Sequence, residues 1–105
     1  MTDTVTILKA ARDLIAKPEN WTKGAFARSA KGNRVRAAYK GAVCFCSIGA
    51  LMKVKGEDYT DAINFLRREL PDGSMGIMAF NDSHSHAEVL DLFSKAITAA
   101  EEAAR

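Results

Sequence analysis

Apolar residues recur at spacings of three and four at Ile7, Leu8, Ala11, Leu14 and Ile15, which places them on one face of a helix. Thr4 stands where a side-chain oxygen can accept from an unpaired N–H of the first turn. Pro18 closes the helix, because a proline pushes the residue before it out of helical geometry. Trp21 follows, the only tryptophan in the chain, and is expected to plug the core beneath that loop. The helical period is then lost. Gly24 to Ala30 reads as a short extended segment, Lys31-Gly32-Asn33 as a turn, and Arg34 to Ala38 as an antiparallel return, with Phe26 and Val35 inward.

The most apolar stretch runs from Gly41 to Met52. Val43 to Phe45 is predicted to be extended, and Ser47 to Val54 a buried helix ending at Gly56. A glycine within a helix costs about 1 kcal/mol relative to alanine. Close approach of another backbone at Gly49 and Ala50 is the expected compensation. Glu57 and Asp58 suit the positive end of the next helix. Its stripe is Ala62, Ile63, Leu66 and Leu70, and Pro71 stops it. Asp72-Gly73 reads as a turn, Met75 to Phe80 as a short strand, and Asn81-Asp82-Ser83 as a further turn. Ser85 and Glu88 form a capping box for a last helix that buries Val89, Leu92, Phe93, Ala96 and Ile97. Ala99 to Arg105 is expected to fray. Together these segments predict an α+β fold, mostly α, with about four helices and two or three short strands in one compact domain spanning residues 1–105.

The composition agrees with an ordinary globular domain, at 48% hydrophobic and 27% charged residues. No apolar run approaches the roughly 18 residues of a membrane helix, so no membrane partner is expected. Met1-Thr2-Asp3 lacks the basic-then-apolar build of a secretory signal. Cys44 and Cys46 lie too close in sequence to close an unstrained disulfide. They are therefore expected to be reduced thiols in a cytoplasmic protein.

Charge changes the picture more than composition does. The net value is only +2, but it is unevenly spread. Residues 20–56 carry Lys23, Arg28, Lys31, Arg34, Arg36, Lys40, Lys53 and Lys55 and no acid, whereas residues 57–105 carry ten acids against four bases. A basic side attracts nucleic acid or an acidic protein surface. Alternatively, the two sides solvate the molecule and complement one another internally. Lys23, Arg28, Lys31, Arg34, Arg36 and Lys40 are the candidate binding residues. Phe26, Tyr39 and Trp21 lie among these charges, as in proteins that stack bases and hold phosphates, although they are expected to be buried. No glycine-rich phosphate loop, helix-turn-helix or zinc-finger spacing is present.

Two constellations could carry chemistry. Cys44 and Cys46 with His84 and His86 could supply four zinc ligands, but the spacing is not a usual one and cysteines in apolar runs are more often small core residues. Cys46 also precedes a helix start, where the dipole favours a thiolate. His84 or His86 could serve as its base, with Asn81 or Asp82 as orienting group. The plainer reading makes Asn81 and Asp82 turn residues. No metal or cofactor is expected.

The order of these blocks resembles a family of small bacterial and phage proteins grouped as a domain of unknown function. The specific parts are Trp21, the Cys46-Ser47-Ile48-Gly49-Ala50-Leu51 block and Phe80-Asn81-Asp82, with Leu66-Arg67-Arg68 between them. Phe80 and Phe45 stand where the family pattern has a second tryptophan. The resemblance implies a bacterial or phage setting and carries no established activity. The leading expectation is a small non-catalytic binding protein, associated with a phage or mobile element, acting on a host or defence protein through its charged surface. The alternatives are a cysteine-dependent enzyme using Cys46 and a nucleotide- or nucleic-acid-binding module using residues 20–56. A homodimer is possible.

Overall fold

The first amphipathic stripe becomes α1 (Thr4–Leu14), which buries Ile7, Leu8 and Ala11. The structure, a computed structural model, describes residues 3–56, 58–71 and 75–104. The N-cap is Asp3 and not Thr4: Asp3 is extended and its Oδ1 accepts from the Thr6 N–H at 2.7 Å, while Thr4 is already helical. Ile15 caps the far end, and Pro18–Asn20 forms a 3-10 turn leading into Trp21.

Three short strands follow, β1 (Ala27–Ser29), β2 (Arg34–Val35) and β3 (Ala42–Phe45), in the order β2-β1-β3 with both pairs antiparallel. Gly32 takes a positive φ of 85° in the tight turn between β1 and β2, as expected there. The inward residue of β1 is Ala27, and Phe26 is 41% exposed. Ala27 pairs with both Val35 and Phe45. Because adjacent side chains on a strand point to opposite faces, Phe26 must turn outward.

The apolar stretch continues into α2 (Ser47–Lys55), closed by Gly56 at a φ of 81°. Gly49 does what its position in a helix suggested. A Cβ there would run into the Phe26 carbonyl, which also accepts the Cys46 N–H at 3.1 Å. After α2, α3 (Thr60–Arg68) begins later than the acidic residues implied. Asp58 sits before it with a φ of 51°, Asp61 takes the acidic place in the first turn, and Glu57 lies outside the described residues.

The largest departure concerns the segment read as a strand and a turn. The structure makes it α4 (Ile77–Ser83), so five α-helices occur among the described residues. Ile77, Phe80 and Asn81 are its buried positions, a spacing of three and four that belongs to a helix. Asn81-Asp82-Ser83 is therefore the last turn of α4, and the expected Asp72-Gly73 turn lies outside the described residues. Finally, α5 (His86–Ala103) opens with the Ser85–Glu88 capping box. It does not fray at Ala99, because Ala100 extends the buried stripe and Glu101 pairs with Lys9 of α1 at 3.3 Å. Phe93, Leu8, Ile15, Leu51, Leu66 and Val89 are the large fully buried apolar side chains. None of the described helices is long and apolar enough to cross a membrane.

Candidate functional site

The last turn of α4 carries Asn81 into the gap between the start of α2 and the Trp21 loop. Asn81 is fully buried. Its Oδ1 accepts from the Trp21 Nε1–H at 2.9 Å, the Ser47 N–H at 3.0 Å and the Ser47 hydroxyl at 2.8 Å. Its Nδ2 donates to the Thr22 carbonyl at 3.0 Å and to Asp82 Oδ1 at 3.2 Å. Asp82 Oδ1 also accepts from the Gly24 N–H at 3.0 Å. The Asn81 oxygen thus satisfies one of the N–H groups that a helix start leaves unpaired. Cys46 satisfies another, its Sγ accepting from the Gly49 N–H at 3.3 Å. With both ends of the amide engaged, Asn81 acts as a fastener between chain segments.

Among the described residues, Cys46 and the histidines share no hydrogen bond. Cys46 is 1% exposed. Burial pushes its thiol up, because desolvation disfavours the thiolate. The Gly49 and Ile48 N–H groups pull the other way without prevailing, and the Asp82 charge adds to the rise. The helix start that suggested a reactive thiolate is therefore outweighed by burial. His84 lies with Nδ1 at 2.9 Å from the Ser83 hydroxyl and 3.0 Å from the Phe80 carbonyl, its ring stacked on Phe80. His86 Nε2 lies 2.6 Å from the Ile15 carbonyl, with its ring tilted against Trp21. Both imidazoles are anchored at helix ends. Among the described residues no three His, Cys, Asp or Glu side chains come together to hold a metal, so the Cys44, Cys46, His84 and His86 set is not assembled. Cys44 faces the Arg28 carbonyl, at 4.0 Å.

The basic residues divide into two groups. Arg28 is half-buried and its guanidinium is engaged on three sides. Nε donates to the Thr22 hydroxyl at 3.0 Å, Nη1 to the Gly32 carbonyl at 3.1 Å and Nη2 to the Lys23 carbonyl at 3.1 Å. It clamps the hairpin turn. Lys23 lies with Nζ 5.3 Å from the centre of the Trp21 ring. By contrast, Lys31, Arg34, Arg36 and Lys40 are exposed. The ion pairs among the described residues are Lys9–Glu101, Arg12–Asp13 and Lys95–Asp91. None reaches the basic segment, so the two charged sides do not neutralise one another through contacts there.

Aromatic rings are exposed beside these cations. Tyr39 is 52% and Phe26 41% exposed, where burial was expected. One open depression, of about 590 Å³, is lined by Lys31, Val35, Arg36 and Tyr39 among others. A second, of about 420 Å³, is lined by Phe26, Arg34, Val35, Arg36 and Met78 among others. The sequence pattern set both rings among the cations but implied that they would be buried. The signal for Tyr39 was Gly41, where a Cβ would collide with the Tyr39 ring.

These features define a helix-rich α+β domain that displays a basic, aromatic hairpin over a closed polar fastener. The chain belongs to a family of unknown function, DUF6197, whose family model matches residues 1–99. No curated protein and no solved structure matches it.

Proposed function

We propose that this chain is a non-catalytic binding protein that holds an acidic partner on its basic hairpin. One observation carries the reading: Lys31, Arg34, Arg36 and Lys40 are exposed beside two exposed aromatic rings, and no ion pair among the described residues involves them. Unpaired cations around a partly desolvated ring favour acidic surfaces and exclude basic ones. The resemblance to phage and bacterial proteins suits this reading, with a component of a host or its defences as the partner and the cytoplasm as the setting. The cysteine-dependent alternative has less support, because Cys46 is buried and its thiol is held in the neutral form.

Retention on an immobilised polyanion such as heparin tests the reading. The wild-type chain should bind at low salt and elute as salt rises. A variant carrying Lys31→Glu, Arg34→Glu, Arg36→Glu and Lys40→Glu should pass through while keeping its helical circular dichroism. A wild-type chain that is not retained, or a folded variant retained as well as the wild type, would overturn it.

A further inference from the structure

We propose that the acidic partner is single-stranded nucleic acid, with bases stacked on Tyr39 and Phe26 and phosphates held by Lys31, Arg34, Arg36 and Lys40; this rests on the hairpin being the binding face. The rings carry the argument beyond charge. Tyr39 sits between two tight turns, its N–H bonded to the Arg36 carbonyl at 3.0 Å and its carbonyl to the Ala42 N–H at 3.0 Å. Its ring lies on Gly41, which has no side chain to displace it. The ring is half exposed and yet held in place. The Phe26 backbone is held as well. Its carbonyl is fixed by the Cys46 N–H and pressed against Gly49, while its ring faces out.

The strand register places two cations on the face of Phe26. Ala27 pairs with Val35, and paired residues share a face. Ala27 is buried. The neighbours of the pair, Phe26 on one side and Arg34 and Arg36 on the other, therefore turn to the opposite face. Val35 and Arg36 line both depressions, so the Tyr39 and Phe26 surfaces adjoin across Arg36. Exposed rings set beside cations match a strand whose bases are free to stack while its phosphates track the basic groups. A duplex presents phosphates but hides the base faces. An acidic protein surface would engage the cations and leave two exposed rings without a flat partner.

Fluorescence polarisation with short labelled oligo-dT and oligo-U, a blunt duplex and labelled polyglutamate tests this. Oligo-dT or oligo-U should bind more tightly than the duplex or polyglutamate. Its affinity should fall with salt at a log–log slope of about −3, from roughly −0.7 per phosphate-neutralising cation over the four cations. Tyr39→Ala and Phe26→Ala should each weaken binding by about 5- to 150-fold, the range seen on removing a stacking ring, whereas Tyr39→Phe should bind like the wild type. Gly41→Ala should weaken binding with the charge unchanged, because it displaces the Tyr39 ring. Absence of saturable oligonucleotide binding, alanine variants that bind like the wild type, or polyglutamate bound as tightly as oligo-dT would overturn the assignment. The last result would leave the hairpin as a binding face for an acidic protein. Failure of polyanion retention would remove that reading as well.

Discussion

Replacing Asn81 by alanine challenges the joint between α2, α4 and the Trp21 loop directly. The substitution removes the acceptor for the Ser47 N–H and hydroxyl, both buried, and for the half-buried Trp21 indole. It also removes the donor to the Thr22 carbonyl. A buried polar group left without a partner costs about 1–3 kcal/mol. The two Ser47 groups alone thus account for about 2–6 kcal/mol, while Trp21 and Thr22 lie close enough to solvent to recruit water. The expected loss is about 3–5 kcal/mol, against a total stability of about 5–15 kcal/mol for a typical domain. At about 4–8 °C per kcal/mol for a domain near this size, Tm should fall by about 12–40 °C. Urea unfolding followed by Trp21 fluorescence and by circular dichroism measures both the loss and the local change at the indole. A loss below about 1 kcal/mol would refute the assignment of Asn81 as the fastener.

Asn81→Asp separates the two ends of the amide. It keeps an acceptor for Ser47 and Trp21, loses the donors to Thr22 and Asp82, and sets a carboxylate against the Asp82 carboxylate. The Ser47 and Trp21 donors pull the new carboxyl down, but full burial and the like charge of Asp82 outweigh them and raise it above its unfolded value of about 3.9. The folded state then holds its proton more tightly than the unfolded state does. The penalty is small below about pH 4 and grows as pH rises from there toward the folded pKa. The variant should therefore come closest to the wild type in acid and fall furthest below it at neutral pH. A gap that does not depend on pH would contradict burial of the new charge.

Gly49→Ala should be among the most damaging single methyl additions. Overpacking costs typically 1–3 kcal/mol, and here the obstacle is the Phe26 backbone carbonyl, so about 3 kcal/mol or more is expected by urea unfolding. In a Cys44→Ser background, Cys46 should react with a thiol reagent at neutral pH only as fast as the chain opens; a rate near that of free cysteine would contradict the buried, neutral thiol. Asp3 and Glu88 are held below the ordinary carboxylate value by hydrogen bonds from the Thr6 and Ser85 N–H groups. Their contribution is present above about pH 4, the unfolded value, and is lost as pH falls through the folded values, so Glu88→Gln should flatten the acid side of a Tm–pH profile. Arg28→Lys keeps the charge but loses the three-way clamp, and amide exchange in the Ser29–Asn33 turn should quicken; unchanged exchange would refute the clamp.

What could be read from sequence was what local pattern encodes. The stripe of α1, the Ser85–Glu88 box and the stripe of α5 each repeat within a few residues of themselves, and each stands in the structure. Gly49 was legible for a different reason: a residue unfavourable in a helix must be offset by a contact, and Phe26 provides it. Residues 75–83 were misread because a short apolar run fits either a strand or one helical face. What favours the helix is distant in sequence, since Asn81 is buried against Trp21, Thr22 and Ser47. Phe26 was misplaced by a one-residue shift, which reverses every side chain on a strand. The alanine-rich arms of the hairpin carried too little pattern to fix it.

From the sequence, the catalytic candidates are packing and turn residues before they are a site. Asn81 and Asp82 do meet the start of α2 beside Cys46, but identity and spacing do not reveal burial. Burial turns a thiol into a helix cap and an amide into a fastener. The same bonds reach the proposed binding face. Asn81 and Asp82 hold Thr22 and Gly24; Thr22 and Lys23 hold the Arg28 guanidinium, and Arg28 holds Gly32 in the hairpin turn. One continuous set of hydrogen bonds therefore links the buried amide to the turn beside Lys31. Loss of Asn81 should then weaken partner binding together with stability, whereas loss of the exposed cations should weaken binding alone. That contrast separates the frame of the hairpin from the charges displayed on it.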